Sequence, residues 1–202
     1  MVFWITGITA SGKTFLGKSL KRRLIEYGYK NVIHLDGDEL RKRPDWITGH
    51  TLKDRFKIIS LLVKLINEET RNRNHIIVST VSHIKEMRKQ ARQGIKDFNE
   101  IYLKCDPEIC ESRDYKGFYK RAKLFEQKKM AHSDTKDKSH VDRKVKEDFF
   151  NIEKPQEIFP GITEQYEESI NVELTLYTDK ETEEISIDRL LKYCLKKLKE
   201  NK

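Results

Sequence analysis

Apolar runs of strand length alternate with amphipathic stretches along this chain. Five runs are predicted to be strands: Val2–Thr6, Asn31–Leu35, His75–Val81, Ile101–Lys104 and Asn171–Tyr177. Apolar residues at helical spacing mark three further stretches: 13–27, 52–72 and 185–198. Short apolar strands separated by helices pair in parallel and carry helices on both faces. The pattern therefore predicts an α/β fold, a doubly wound parallel five-stranded sheet in three layers, and 202 residues suit a single domain spanning 1–202.

The segment from about Glu126 to Asp148 breaks this rhythm, because nearly every residue in it is charged or polar. Runs of mixed charge usually face water, so one interpretation is a solvated helix or excursion. The alternative is a lid that brings positive charge over an active site. We treat about 126–157 as an insertion in the domain.

Charge and composition narrow the functional classes. Hydrophobic and charged residues each make up 37% of the chain, and the net charge is +8. A basic surface suits either nucleic acid or small polyanionic substrates. Since the lysines are spread throughout and no groove-reading motif is present, we expect a small polyanionic nucleotide and no nucleic-acid partner.

The apolar runs and the cysteines bear on location. No run approaches the roughly 20 residues that cross a bilayer, and the first strand begins at about Val2, which leaves no room for a cleavable signal. We therefore expect a cytoplasmic protein without a membrane partner. Cys105, Cys110 and Cys194 are too few and scattered for a disulfide framework, so buried thiols are expected.

A phosphate-binding motif follows the first strand and opens the first helix. It consists of Gly7, Ile8, Thr9, Ala10, Ser11, Gly12, Lys13 and Thr14. Glycines let the backbone N–H groups of such a loop point inward at phosphates, helped by the helix N-terminus. Lys13 is predicted to reach the β- and γ-phosphates of ATP, and the Thr14 hydroxyl to bind Mg²⁺. ATP and Mg²⁺ are the predicted cofactors.

A second cluster lies where the second strand ends. Asp36, Gly37 and Asp38 follow Leu35, and Arg41 comes three residues later. Ligands of parallel α/β sheets bind at the carboxyl ends of the strands, so Asp36 is predicted to hold Mg²⁺ or to orient an attacking hydroxyl. The other interpretation of this sequence is a turn that caps a helix.

These segments, with three later ones, resemble the adenylylsulfate (APS) kinase family in order along nearly the whole chain. Residues 49–55 are similar to the family's Gly-Phe-Ser-x-x-Asp-Arg, and residues 110–122 to its Cys-x-x-Arg-Asp-x-Lys-Gly-Leu-Tyr-Lys-Lys-Ala lid. Residues 159–162, with Tyr166 and Glu167, resemble its Phe-Thr-Gly-Ile…Tyr-Glu. The last two matches discriminate better than the phosphate loop, which many families share.

The resemblance implies a P-loop nucleoside-kinase-like enzyme that moves the γ-phosphoryl group of ATP to the 3′-hydroxyl of adenylylsulfate, yielding PAPS. It implies catalytic roles for Lys13, Asp36 and Ser82. Arg113 would add lid charge at the ATP side. The residues implied to bind the acceptor nucleotide are Asp38, Arg41, His50, Arg55, Lys116 and Phe159, with Phe159 stacking on its base.

Several positions depart from the family pattern on the acceptor side. His50 stands where the family has Phe, Ile58 where it has Asn, and Ser60 where it has Arg. The family's Ser-Pro-Tyr-Arg after the third strand is Ser-His-Ile-Lys at 82–85. The ATP half of the motif set is therefore intact, whereas the acceptor half is partly rewritten.

These departures leave alternatives open. One keeps the chemistry and changes the acceptor, for example to a cytidine-diphosphate conjugate in surface-polysaccharide assembly. Another is a regulatory or nucleic-acid-associated P-loop ATPase, although such a protein would not need a second nucleotide site. The sequence leaves the oligomeric state open, with a homodimer as one option.

Overall fold

The computed structural model describes residues 1–46, 51–133, 159 and 162–201. Its strands are β1 (Val2–Gly7), β2 (Val32–Asp36), β3 (His75–Ser79), β4 (Phe98–Lys104) and β5 (Leu174–Tyr177). The helices are α1 (Lys13–Glu26), α2 (Gly37–Leu40), α3 (Leu52–Arg71), α4 (Lys85–Gly94), α5 (Pro107–Ser112), α6 (Phe118–Ser133) and α7 (Glu183–Glu200). A 3₁₀ turn spans Pro44–Trp46.

The five strands form one sheet in the order β2-β3-β1-β4-β5, and every pairing is parallel. The predicted parallel five-stranded sheet is confirmed. Chain progression reverses across β1, because β2 and β3 lie on one side of it and β4 and β5 on the other. Parallel α/β sheets bind their ligands beside such a switch point, at the carboxyl ends of the strands.

Two apolar cores cover the two faces of the sheet. Trp4 of β1 packs in one core with residues of α3 and α4. Phe3 and Ile5 of the same strand pack in the other core with residues of α1 and α7. Because successive strand residues point to opposite faces, a strand buried on both sides is a continuous apolar run. The three-layer prediction is confirmed.

The fourth strand begins at Phe98, three residues before the predicted start at Ile101. The apolar pattern does not extend to Asn99 and Glu100, because both are polar, although both side chains are buried. The Asn99 amide donates to the Val2 carbonyl, and the Glu100 carboxylate pairs with Arg88, so both groups are satisfied inside the protein.

Helix α4 was not predicted at all. Its sequence is mostly charged, and the buried part of its surface consists of Met87, Arg88 and Ala91. Met87 and Ala91, one helical turn apart, are too few apolar residues to show a helical periodicity. The third buried residue is an arginine, a residue type that is usually exposed.

The charged segment is described only in part. Helix α6 continues through Ser133, so the first residues of the insertion are helical, and residues 134–158 lie outside the described chain. The three cysteines are buried as predicted. Across the described ranges, no helix is both long and apolar enough to span a membrane.

Candidate active site

The phosphate loop joins β1 to α1. Gly12 precedes the helix with a φ of +97°, a conformation that glycine adopts without strain. Gly7 lies so close to β4 that an added Cβ would be 2.6 Å from the Leu103 carbonyl oxygen. Lys13 points back along the loop and donates to the Ile8 carbonyl at 2.6 Å. Burial of its ammonium group lowers the pKa of Lys13 to about 8.

Thr14 and Asp36 meet at the opening of the loop. The Thr14 hydroxyl donates to Asp36 Oδ2 at 2.5 Å. Asp36 Oδ1 accepts from the backbone N–H groups of Asp38 at 2.9 Å and Glu39 at 3.4 Å, which caps α2. The capping and functional interpretations of Asp36 are therefore compatible, because different oxygens serve them.

The chemistry of this pair suits Mg²⁺, which is commonly held by one or two carboxylates or hydroxyls together with substrate phosphates. Both groups offer hard oxygen atoms at the carboxyl edge of the sheet. No group of three or more His, Cys, Asp or Glu that could hold a metal occurs within the described ranges. The oxygen atoms of Thr14 and Asp36 fit such an ion.

A cavity of about 870 Å³ extends from the phosphate loop across the carboxyl edge of the sheet. Most of the predicted site residues line it: Thr9, Ala10, Ser11, Gly12, Lys13, Thr14, Asp36, Asp38, Arg41, Arg55, Ser82, Arg113, Lys116 and Phe159. Gly7 and Ile8 form the base of the loop and are not part of this lining. His50 lies outside the described residues. One cavity thus gathers segments that are up to 150 residues apart.

Three of the cationic side chains that line this cavity are the predicted acceptor-binding residues Arg41, Arg55 and Lys116. The Lys116 ammonium pairs with Asp38 Oδ2 at 2.6 Å. Burial, followed by the neighbouring charge of Arg41, lowers the pKa of Arg55 to about 10. Burial also lowers the pKa of Arg41, which Asp38 and Asp54 partly offset. Two guanidinium groups close enough to repel each other form a favourable place for an anion.

Ser82 occupies a strained turn directly after β3. Its φ is +42°, an uncommon value for a residue with a side chain, and its hydroxyl oxygen is buried without a hydrogen-bond partner in the described structure. Strained backbone and unsatisfied buried polar atoms both concentrate at functional sites. Ser82 lines the cavity, and the hydrogen-bonding capacity of its buried hydroxyl is unused.

Phe159 is one of several aromatic residues in the cavity wall. Its side chain is buried, and its ring lies 6.2 Å from that of Phe125 on α6. The backbone N–H groups of Ile162 and Thr163 both donate to the Phe159 carbonyl at 2.9 Å. These hydrogen bonds fix the backbone that carries the ring.

Arg113 lines the cavity close to the phosphate loop. Its guanidinium donates to the Thr178 carbonyl at 3.0 Å, and the Thr178 hydroxyl donates to the Ser11 carbonyl of the phosphate loop, also at 3.0 Å. Tyr119 lies in the first turn of α6, the helix in the segment that resembles the family's lid. Its hydroxyl donates to the Thr9 carbonyl at 3.3 Å. The lid segment is thereby joined to the phosphate loop.

Two further residues bear on the site. His83 lines the cavity, and its Nε2 atom lies 2.7 Å from a carboxylate oxygen of Glu164. Burial lowers the pKa of this imidazole. The sequence marked His83 only as a departure from the family pattern. Arg88 was missed altogether, because nothing in the charged sequence of α4 distinguishes it from a surface arginine.

The two departures on α3 have different positions. Ile58 is buried and lines the cavity, whereas Ser60 is exposed and accepts a hydrogen bond from Gln90 at 2.8 Å. Ile58 therefore stands where a change of residue alters the cavity wall, whereas the Ser60 hydroxyl faces α4.

Comparison with known proteins places these features in a family. The sequence profile of adenylylsulphate kinase matches residues 1–145. A probable adenylyl-sulfate kinase of Bacillus subtilis is 31% identical over 199 residues, covering 98% of this chain and 86% of that protein. A cytidine diphosphoramidate kinase of Campylobacter jejuni is 37% identical over 127 residues, covering 60% of this chain and 70% of that protein.

A solved structure agrees with the sequence relatives. The Mycobacterium tuberculosis APS kinase CysC, solved in complex with AMPPNP and APS, is 25% identical and superposes with a TM-score of 0.71. The match covers 98% of this chain and 96% of that one. The phosphate loop and the parallel sheet of this chain agree with these comparisons. The chain belongs to the adenylylsulphate kinase family of phosphotransferases, which use an alcohol group as acceptor.

Proposed function

We propose that this protein transfers the γ-phosphoryl group of ATP to the 3′-hydroxyl of adenylylsulfate, forming PAPS. The observation that carries the proposal is the single cavity, which has a phosphate loop on one side and two arginines, a carboxylate and a buried phenylalanine on the other. A hydrolase that uses only ATP would not need the second set. Adenylylsulfate offers an anion for the arginines and a base for the ring.

On the ATP side, the backbone of the phosphate loop and Lys13 bind the phosphates. Lys13 exchanges its contact with the Ile8 carbonyl for a phosphate oxygen, which places its positive charge where the transferred group becomes most anionic. Thr14 and Asp36 would hold Mg²⁺, which would supply charge neutralisation at the phosphates.

On the acceptor side, Arg41 and Arg55 bind the anionic part of the nucleotide, and Phe159 stacks on its base. Asp38 and Lys116, which pair with each other in the cavity lining, contact the sugar or phosphate. The unused hydroxyl of Ser82 lies near the transferred phosphoryl group, where that group meets the acceptor hydroxyl. Phosphoryl transfer needs mostly positioning and neutralisation of charge, so these groups suffice. Binding of the acceptor nucleotide by His50 stays a prediction.

A second candidate keeps the reaction and changes the acceptor to a cytidine-diphosphate conjugate. Ile58 lines the cavity where the APS kinase pattern has an amide, and His83 replaces a proline with a hydrogen-bonding ring. The similarity to a cytidine diphosphoramidate kinase supports this reading. The adenylylsulfate proposal has support over more of the chain, since that relative matches only 60% of it.

A coupled ADP-release assay over a panel of acceptors separates the candidates. With adenylylsulfate, cytidine-diphosphate conjugates and no acceptor in parallel, we expect the highest kcat/KM for adenylylsulfate. Turnover of a cytidine conjugate, together with no adenylylsulfate binding at millimolar concentration, would overturn the first candidate and support the second. ADP release that no acceptor stimulates would instead favour a P-loop ATPase.

A further inference from the structure

A buried arginine holds the strained turn at the acceptor side. Ser82 has a φ of +42°, and such a conformation persists only where its surroundings maintain it. The Nη1 atom of Arg88 donates to the Ser82 carbonyl at 2.5 Å. Arg88 itself is not part of the cavity lining, so any influence on the substrate must pass through a residue that is.

The same guanidinium also contacts the segment around Tyr166 and Glu167. Its Nη2 atom donates to the Glu167 carbonyl at 2.5 Å, and its Cζ atom lies 5.0 Å from the centre of the Tyr166 ring. The Glu167 N–H donates to the His83 carbonyl at 2.8 Å. Arg88 therefore connects Ser82, in the turn after β3, to the segment around Tyr166 and Glu167.

A carboxylate compensates the charge of Arg88. The Arg88 Nε atom lies 3.2 Å from Glu100 Oε1, and both side chains are almost fully buried, with 4% and 6% exposure. The Ser169 hydroxyl donates to the same oxygen at 2.6 Å. A buried ion pair is weak support for stability, since apolar residues can fill such a space as well. Apolar residues would not hold two carbonyl groups in place.

We propose that Arg88 is a positioning residue for the acceptor subsite. It holds Ser82 and the segment around Glu167 in the arrangement that receives the acceptor nucleotide, and it acts on the substrate through Ser82. The kinetic part of this inference rests on the proposed function, whereas the structural part does not.

The test uses Arg88→Lys, with Arg92→Lys as the matched control. Lysine keeps the charge beside Glu100 but lacks the planar fork that reaches both carbonyls. Arg92 pairs with the same carboxylate at 3.3 Å and is a third exposed. We expect Arg88→Lys to raise the acceptor KM about tenfold while the ATP KM changes less than about twofold, and Arg92→Lys to leave both nearly unchanged.

A double-mutant cycle asks whether Arg88 acts through Ser82. If it does, Arg88→Lys adds little in a Ser82→Ala background, because the group it positions is gone. Full additivity of the two effects would overturn the proposal. So would equal rises in both KM values accompanied by a lower melting temperature, the pattern expected of a purely structural residue.

Hydrogen exchange supplies a readout that needs no acceptor. Amides in a peptide covering residues 80–86 are expected to exchange about tenfold faster or more in Arg88→Lys, with the phosphate-loop peptide unchanged and Arg92→Lys like the wild type. Unchanged exchange in Arg88→Lys would overturn the positioning role even if the acceptor were misassigned. If the wild type phosphorylated no nucleotide, the proposed function alone would fail. Should Arg88→Lys not fold, the Arg88→Gln/Glu100→Gln pair replaces it, with the same expectations.

Discussion

The two sides of the cavity are built in different ways. The phosphate side comes from eight consecutive residues and one aspartate, and its shape follows from backbone conformation at the start of α1. The acceptor side collects single side chains from five separate places, including α2, α3, the turn after β3 and the lid. Local backbone geometry makes one half, and tertiary packing makes the other.

This difference explains where the chain departs from its family. Changing one residue of the phosphate loop disturbs N–H groups that all bind the same phosphates. Ile58 or His83, by contrast, can change acceptor contacts while α3 and the sheet keep their packing. An acceptor site made of independent side chains can be altered one position at a time.

Removal of the phosphate-loop lysine tests the ATP side most severely. Lys13→Ala is expected to lower kcat about a hundredfold or more, because it removes charge needed in the transition state. The melting temperature should not fall, since burying that ammonium is unfavourable. Lys18→Ala, an exposed change on α1, is the control. Near-normal turnover in Lys13→Ala would refute the assigned ATP site.

Two replacements of Asp36 separate its metal and capping roles. Asparagine keeps an oxygen for the Asp38 and Glu39 N–H groups, whereas alanine loses it. Both variants are expected to lower kcat about tenfold or more and to need more Mg²⁺. Only Asp36→Ala should lose about 1 kcal/mol of stability in denaturant unfolding. Unaltered Mg²⁺ dependence in Asp36→Asn would argue for capping alone.

Replacement of Phe159 tests the acceptor side. Phe159→Ala is expected to raise the acceptor KM about tenfold, since base–aromatic stacking contributes about 1–3 kcal/mol. The ATP KM should change much less. Phe125→Leu, which alters the ring packed against Phe159 without touching the cavity lining, controls for lost packing. Equal effects of Phe159→Ala on both substrates would place the ring outside the acceptor subsite.

The lowered pKa of Lys13 predicts a pH effect confined to the ATP side. Below about pH 8 the lysine is charged before and after ATP binds, so no proton moves. Above that pH the free protein loses the proton, and the bound phosphates raise the pKa and restore it. The ATP Kd should therefore rise up to about tenfold per pH unit above 8, with proton uptake measurable by calorimetry in two buffers. Lys13→Met should show no uptake.

The smallest expected effect distinguishes the two departures on α3. Ile58→Asn is expected to raise kcat/KM for adenylylsulfate about fivefold relative to a cytidine conjugate, since one hydrogen bond contributes about 1 kcal/mol. Ser60→Arg should change that ratio less than about twofold, because Ser60 faces Gln90. A larger effect of Ser60→Arg would show that an arginine there reaches the acceptor after all.

The sequence by itself determined the sheet and the phosphate side. Continuous apolar runs such as Val2–Thr6 can be buried only on both faces of a sheet, which predicts the layers directly. Lys13 and Thr14 follow from a motif whose members are neighbours in the chain. The apolar strand runs and the phosphate-loop motif each consist of residues that are neighbours in the chain, so this one sequence was enough to predict both.

Only the tertiary structure decided how the acceptor side is assembled. In the structure Lys116 pairs with Asp38, and Arg88 is buried against Glu100. Ile58 lines the cavity, whereas Ser60 does not. Residues 78 positions apart, such as Asp38 and Lys116, meet only because parallel crossovers bring separate strand ends to one edge. A buried arginine and an exposed one read alike in sequence, since burial depends on which elements pack around them.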